Sequence, residues 1–340
     1  MVNKKTDKPP VHWLRRHGFI LGLLAAVMAA YVCPQPGAKG GGFHPEFVNN
    51  GGIALIMFLQ GVTLAVEKLK QSAGNWRLHA IIQSFTFVIF PVVGVLLYFL
   101  VPQIWDAEPP GIRQGLLYLC VLPSTISTSV VLTAVAQGNV AGALFNAALS
   151  NILGVVVTPL LVHALMQASG QSGAMGPLML KITLLTLLPF FLGMALRPRL
   201  QRRVDARKVW VARISNAVII FIVYTAFCDS FVEQVWSQRG AGATFWLLLW
   251  VILLFAGMSG LIYGTCRLLA LNREDLIAAY FCSVKKTLAM GVPLAMLIFG
   301  AGSDISQILL PLMFYHPLQI FVNGLLANHW HRHAPAASGH

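Results

Sequence analysis

Charged residues are scarce in this chain, and acidic residues are the scarcest. Of 340 residues, 11 are Asp or Glu and 24 are Lys or Arg, so that 10% are charged while 57% are hydrophobic. A soluble protein needs about a quarter of its residues charged to cover its surface, whereas lipid requires no polar cover. One bilayer crossing takes about 20 apolar residues. The composition therefore indicates an all-α polytopic membrane protein.

Several chemical signatures are also missing from the sequence. The five cysteines form no CxxC or metal-ligand spacing and lie mostly in apolar runs, which favours helix packing over a disulfide framework or a zinc site. There is no HExxH or GxSxG motif, no pair of carboxylates inside an apolar run and no ATP-binding motif. We therefore expect neither an enzyme nor a cofactor. The net charge of +13 does not indicate nucleic-acid binding, since the basic residues form short clusters between apolar runs.

Ten apolar runs separated by short polar connectors predict ten transmembrane helices. The first run resembles a signal peptide, but no small-residue cleavage site follows it, and we interpret it as retained. The runs cover approximately residues 19–32, 47–66, 78–101, 112–136, 139–166, 176–196, 210–232, 243–269, 275–299 and 305–327. The connectors leave no room for a separate soluble domain.

The basic residues fall mainly in alternate connectors, which predicts the orientation of the chain. One set of segments contains Lys4, Lys5, Lys8, Arg15, Arg16, Lys68, Lys70, Arg77, the basic residues from Arg197 to Arg213, Arg267, Arg273 and Arg332. The other set contains only Lys39, Arg113 and Arg239. This asymmetry places both termini in the cytoplasm and requires an even number of spans. We expect a plasma-membrane location, or the inner membrane if the protein is bacterial.

Ten spans divide into two sets of five, and an odd number per set inverts the second set relative to the first. The predicted repeats cover residues 1–170 and 171–340. The fourth member of each set carries an interruption signal: Pro123 removes a backbone donor in the fourth span, and the ninth contains the adjacent Lys285 and Lys286. Each charged lysine at mid-span costs about 2.5 to 3.5 kcal/mol. We therefore expect both interruptions to line a polar cavity on a transport pathway.

The interrupted spans provide candidate groups for binding an anion. An interruption frees backbone N–H and C=O groups, and the new helix N-terminus carries a partial positive charge that the lysines would reinforce. The expected cargo is therefore a small organic anion. The candidate binding residues are Ser124, Thr125, Ser127, Thr128, Ser129, Asn146, Ser150, Ser283, Lys285, Lys286 and Thr287. Three alternatives stay open. The hydroxyls could bond back within their own helices, and Asn146 and Ser150 could bond one helix to another. One lysine could pair with backbone carbonyls or a buried carboxylate and only hold structure.

Several motifs resemble those of the bile acid:sodium symporter family. They are Pro123 followed by STISTSVV, Gln137-Gly138-Asn139-Val140-Ala141, Thr158-Pro159-Leu160-Leu161 and Phe87-Val88-Ile89-Phe90-Pro91. The strings SVKKTLAMGVP at 283–293 and WRLH at 76–79 resemble the branch known as sodium/bile acid cotransporter 7-like. The resemblance covers nearly the whole chain. It implies a panel domain and a core domain, crossing of the fourth and ninth helices in the core, and secondary active transport by alternating access.

The resemblance also implies a sodium site, onto which this sequence maps only in part. The family's Ser-Asn pair falls on Thr128 and Ser129, which leaves two weak sodium ligands. The fifth-span hydroxyl positions fall on Ala143 and Ala147, which cannot bind a cation through their side chains. The third-span Gln position falls on Thr86, with Gln83 one turn away. On the ninth span, the Glu position falls on or near Tyr280 and the Gln position on Lys285.

An ammonium group therefore stands where the family binds a cation. Two positive charges about 4 Å apart repel by about 4 kcal/mol at an effective dielectric of 20, which argues against sodium coupling. We expect a lysine to replace the sodium charge and to attract the anion, and it could also load and release a proton. Adjacent helical residues point about 100° apart, so only one lysine should face the cavity. Two alternative functions stay open. One is a sodium-coupled symporter with a rearranged site, and the other is a non-transporting sensor or regulatory protein.

Overall fold

The structure, a computed structural model, describes residues 11–64, 74–104, 110–168, 180–233, 241–300 and 304–333. Within these ranges every regular element is helical, with thirteen α-helices and two π-helical turns. The α-helices are α1 Val11–Val32, α2 Pro45–Thr63, α3 Trp76–Ser84, α4 Phe90–Ile104, α5 Pro110–Val121, α6 Ile126–Val135, α7 Val140–Ala168, α8 Leu188–Ala206, α9 Lys208–Val232, α10 Ala241–Leu268, α11 Arg273–Ser283, α12 Leu288–Phe299 and α13 Ile305–Arg332. The expected all-α class is confirmed for this part of the chain.

Among the described residues, seven helical stretches are long and apolar enough to cross a membrane, and the bent pair α5–α6 would make an eighth. The seven are Trp76–Ile104, Val140–Leu165, Leu180–Ala206, Lys208–Val232, Thr244–Leu268, Arg273–Phe299 and Ile305–Arg332. The apolar part of α1 is shorter, at Gly18–Val32. Helix α2 is not among the seven and contains Glu46, Asn49 and Asn50. These helices support a multi-pass membrane protein, and the count of ten spans stays a prediction.

Two further sequence predictions fall partly on residues that the structure leaves undescribed. The proposed repeat boundary at 170/171 lies in the gap between 168 and 180. Of the residues that predict the orientation, Lys4, Lys5, Lys8, Lys68, Lys70 and Arg239 lie outside the described ranges. The boundary and the orientation therefore both stay predictions.

Each π-helical turn precedes a proline inside an apolar span. The turns are Phe85–Ile89, which joins α3 to α4, and Thr183–Leu187, which leads into α8. In each turn a buried threonine, Thr86 or Thr186, donates its hydroxyl to the carbonyl four residues earlier, at 2.8 and 2.6 Å. A widened turn accommodates the proline ring, which has no N–H to donate. The hydroxyl of Thr86, a predicted site residue, is therefore bonded within its own helix.

The helices pack in two groups. In the first group, α1 packs on α9, and α2 packs on both α8 and α9. In the second group, α5 lies between α4 and α13, while α6 packs on α7 and α11. The groups meet where α9 packs on α12 and α13. Across this contact the Gln60 amide of α2 donates to the carbonyl of Ala289 at 3.3 Å, and the Phe19 ring of α1 lies edge-on to His316.

The α2–α8 crossing brings two helix backbones into direct contact. A Cβ added at Gly61 would overlap the carbonyl oxygen of Phe190, and one added at Gly193 would overlap that of Phe58. Small residues allow such close approach between membrane helices. One turn along α8, the buried guanidinium of Arg197 donates to the carbonyl of residue 62 at 2.7 Å, at the end of α2. This bond satisfies a terminal carbonyl that has no helical partner.

At one end of the second group, α11 begins in a clasp built around Asp275. Its carboxylate accepts hydrogen bonds from the side-chain amides of Asn75 and Asn139, at 2.8 and 2.7 Å. The backbone N–H of Asn139 donates to the carbonyl of Glu274 at 3.0 Å. These bonds join the first turn of α11 to α3 and to the turn between α6 and α7. The clasp fixes the start of the helix whose other end leads into the lysine pair.

Candidate functional site

The fourth predicted span is interrupted where Pro123 predicts it. Helix α5 ends at Val121, α6 begins at Ile126, and the two helices are bent by 62°. The proline ring packs against Gly154 of α7 so closely that a Cβ at that position would overlap it. The glycine thus lets α7 run directly beside the interruption.

The ninth predicted span is interrupted at the lysine pair. Helix α11 ends at Ser283 and α12 begins at Leu288, so that Val284–Thr287 is not helical. Both lysines are buried, with 1% of Lys285 and 0% of Lys286 exposed. Two lysine side chains inside an apolar structure require polar partners, so the partners of each decide what the site can do.

Helix α13 replaces the backbone bonds that the second interruption loses. The Tyr315 hydroxyl donates to the carbonyl of Val284 at 2.6 Å. The side-chain amide of Gln319 accepts from the Lys286 N–H and donates to the Lys286 carbonyl, both at 2.9 Å. Tyr315 and Gln319 lie four residues apart on one face of α13, which positions them along the non-helical segment.

The two interruptions contact each other. The backbone N–H of Thr287 donates to the carbonyl of Pro123 at 3.0 Å. Beyond the breaks, the Ser129 hydroxyl of α6 donates to the carbonyl of Phe281 in α11 at 3.1 Å. Segments that are more than 150 residues apart in sequence are therefore joined at this crossover.

Lys286 places its ammonium group at the centre of the crossover. Its Nζ donates to the carbonyls of Cys120 and Leu122, at 3.0 and 2.8 Å, and lies 3.9 Å from the centroid of the Phe90 ring. The carbonyl end of a helix carries a partial negative charge, and an aromatic face attracts a cation. The ammonium group thus compensates the end of α5 at the point where the second interruption meets it.

Helix α7 completes the bonding of the first interruption. The Ser150 hydroxyl accepts from the Ser124 N–H at 3.0 Å, and the Asn151 amide donates to the Ser124 carbonyl at 2.8 Å. The Thr158 hydroxyl donates to the carbonyl of Val121 at 2.9 Å. With the bonds from Lys286 and Thr287, every carbonyl from residue 120 to residue 124 has a donor. The freed carbonyls of the first interruption are therefore paired by α7 and by the second interruption.

Lys285 lies in a different environment from its neighbour. Its Nζ has no hydrogen-bond partner among the residues that the structure describes. It lies within electrostatic range of Cys282 in α11 and of His316 in α13. The Ser283 hydroxyl and the Asn323 side-chain amide are also buried and lack partners in the described part of the chain. The crossover therefore holds one satisfied and one unsatisfied lysine.

The other predicted site residues form two smaller groups. The Thr125 hydroxyl lies 2.7 Å from that of Thr128 and 3.3 Å from that of Ser129, at the start of α6. Ser127 is exposed. The Gln83 amide donates to the side-chain oxygen of Asn146 at 3.2 Å, and this pair joins α3 to α7. The first group thus lies at the crossover, while the second connects neighbouring helices.

Comparison with known proteins identifies the family. Residues 17–332 match the model of the SBF-like CPA transporter family, which covers the bile acid:sodium symporters. The chain belongs to this family. The resemblance carried by the motifs around Pro123 and Lys285 is therefore confirmed, and the protein is a transporter rather than an enzyme.

The SBF-like relatives match almost from end to end. A protein of Escherichia coli (strain K12) named "Putative symporter YfeH" is 36% identical over 316 residues, 92% of this chain and 92% of its own length. The protein named sodium/bile acid cotransporter 7 is 30% identical in Danio rerio over 319 residues, which is 92% of this chain and 93% of the relative. Its Xenopus tropicalis counterpart is also 30% identical, over 322 residues, 92% of this chain and 91% of the relative.

Sequence reasoning missed several residues that hold the crossover together. Thr158, Tyr315 and Gln319 supply bonds to the interruptions, and none was singled out as a site residue. A signal was present in α13, where two polar side chains recur four residues apart inside an apolar span. Such spacing marks a polar face that must find partners inside the protein.

Proposed function

We propose that this protein is a secondary active transporter of a small organic anion that works by alternating access. The observation that carries the proposal is the position of Lys286 between two interrupted helices. Interrupted helices that meet inside a membrane protein are the usual binding elements of secondary transporters. The printed names of the relatives, symporter and sodium/bile acid cotransporter, support the same class.

In this proposal the Lys286 ammonium supplies the charge that a coupling cation supplies in sodium-dependent relatives. Its Nζ already occupies the carbonyl end of α5, and a sodium ion about 4 Å away would be repelled by about 4 kcal/mol. The predicted sodium ligands Thr128 and Ser129 are engaged with Thr125 and with the carbonyl of Phe281. We therefore propose transport that does not require sodium.

The domain plan of the proposal follows the two packing groups. Helices α1, α2, α8 and α9 would form the panel, and the remaining helices would form the core that contains the crossover. Two inverted repeats, residues 1–170 and 171–340, would each supply one interrupted span. With both termini in the cytoplasm, relative movement of panel and core would expose the contact between them to each side in turn.

Counterflow in proteoliposomes tests this function. Purified protein would be reconstituted with a panel of mono- and dicarboxylates and taurocholate inside, and uptake of the labelled acid would be measured with sodium or with potassium outside. We expect counterflow of at least one acid, at rates within about twofold in the two salts. The control is Lys181→Gln, at an exposed lysine in the sixth predicted span, which should leave the rate unchanged.

Two results would contradict the proposal. Counterflow that disappears when potassium replaces sodium would show that a dissolved cation is still required. Binding of an acid by the folded protein without counterflow would instead favour a sensor built on the transporter fold, since fold alone does not fix function.

A further inference from the structure

We propose that Lys285 anchors a carboxylate group of the cargo and takes up one proton as the anion binds. The cargo class is therefore a monoanionic carboxylate, or a dicarboxylate that presents one carboxylate to this lysine. The inference deepens the proposed function and rests on it only for the statement that the bound anion is transported.

The first argument is the contrast between two neighbouring lysines. Lys285 and Lys286 are equally buried, but only Lys286 has acceptors for its Nζ, the carbonyls at the end of α5. The Nζ of Lys285 has none in the described part of the chain. Buried polar groups without a partner are rare in proteins and call for an explanation. The simplest explanation is a ligand that accepts a hydrogen bond from this Nζ.

The second argument is the charge balance around Lys285. In the described part of the chain, the ionisable groups within electrostatic range of Lys285 are Cys282 on α11 and His316 on α13, and its sequence neighbour is Lys286. None of them is a carboxylate, so none can offset an ammonium charge without losing a proton itself. An uncompensated charge buried at this depth costs several kcal/mol. Without a bound anion, Lys285 is therefore favoured as the neutral amine.

Binding of the anion changes this balance. The amine of Lys285 accepts one proton from solution, and the resulting ammonium donates to the incoming carboxylate, so that the occupied site is neutral. No bond of the cargo is broken, and the only exchange with water is one anion and one proton taken up together. Charge-assisted hydrogen bonds of this kind are about twice as strong as neutral ones. The coupling ion of the cycle would thus be a proton.

The third argument is the position of Lys285 in the fold. His316, within its electrostatic range, contacts Phe19 of α1, and the adjoining α12 accepts a hydrogen bond from α2. The lysine therefore lies beside the contact between the two helix groups, which alternating access would open. Asn323, buried and unpaired among the described residues, lies on the same face of α13 as His316. Its side-chain amide is a further buried donor on that face.

Formate is the appropriate probe because it is a carboxylate with no other group. Purified protein in lipid nanodiscs would be titrated with formate in weakly buffered solution near neutral pH, with chloride as the ionic-strength control. For the wild type we expect saturable thermal stabilisation and uptake of about one proton per protein at saturation. In Lys285→Gln the proton uptake should vanish, and the formate concentration at half-saturation of the stabilisation should rise about tenfold or more. Lys181→Gln should behave as the wild type.

A second variant separates anion binding from proton uptake. Lys285→Arg keeps a positive charge that is not released in proteins, so it should retain stabilisation by formate without proton uptake. Lys285→Met serves as a second neutral variant, and size-exclusion profiles establish that each variant is folded. Stabilisation of the wild type without proton uptake, an equal response of Lys285→Gln, or no response of the wild type would each overturn the inference.

This experiment needs no gradient, so its failure is distinct from failure of the proposed function. A protein that binds formate through Lys285 but shows no counterflow would contradict transport and leave the anchor in place. A protein that performs sodium-independent counterflow but does not respond to formate as described would contradict the anchor alone.

Discussion

Replacement of Lys286 by alanine is expected to lower the apparent unfolding temperature by about 10 °C. The substitution removes the donor from the carbonyls of Cys120 and Leu122 and opens a cavity in front of Phe90. Breaking a buried charged interaction by removing one partner costs about 3 to 5 kcal/mol, and each kcal/mol corresponds to about 2 to 4 °C in domains of about 150 to 250 residues. Thermal unfolding followed by tryptophan fluorescence in detergent would measure the change.

The adjacent lysine provides a matched control for this prediction. Lys285→Ala removes the same side chain from an equally buried position, but no hydrogen bond from its Nζ is lost within the described structure. We expect that variant to lose less stability than Lys286→Ala, because only the cavity left by the side chain contributes. Lys286→Met, which keeps most of the volume, should recover the cavity part of the loss and leave the carbonyls unpaired. Equal losses at positions 285 and 286 would contradict the assigned roles.

Alanine at Gly61 or Gly193 is expected to destabilise the protein by about 2 to 3 kcal/mol. Each new Cβ would overlap a backbone carbonyl of the facing helix, so that α2 and α8 must separate along their whole contact. Overpacking of a tight interior typically costs about 1 to 3 kcal/mol, and backbone atoms cannot move aside as a flexible side chain can. The same thermal unfolding measurement applies.

Two glycines of α10 provide a control in which alanine should raise stability instead of lowering it. A Cβ at Gly257 or Gly260 would meet nothing within 4 Å. Alanine at either position should stabilise the helix by up to about 1 kcal/mol, because glycine has the lower helix propensity. Destabilisation of similar size at all four positions would show that close backbone contact is not what position 61 requires.

Local signals in the sequence predicted where the crossover lies. Pro123 cannot donate a backbone hydrogen bond, and the structure ends α5 two residues before it. Adjacent lysines in an apolar run cannot face lipid, and the non-helical segment Val284–Thr287 contains both of them. In each case one or two residues suffice for the prediction, because the energetic cost belongs to the residue itself.

The partners of these residues could not be predicted in the same way. The argument that adjacent side chains diverge by about 100° applies to a helix, whereas Lys285 and Lys286 lie in the break, and both are buried. Their environments are set by carbonyls and side chains more than 30 residues away, such as that of Gln319. The ten-span count depended on α1 and α2, whose described apolar segments are too short or too polar to establish it.

The ammonium group of Lys286 is covalently part of the chain, and this has a thermodynamic consequence. A site filled by a dissolved ion gains stability with ion concentration through mass action, so its strength varies with the medium on each side of the membrane. A tethered charge has no such dependence, and its effective concentration is fixed by the backbone. The junction between Pro123 and Thr287 should therefore keep the same strength in fresh water and in brine.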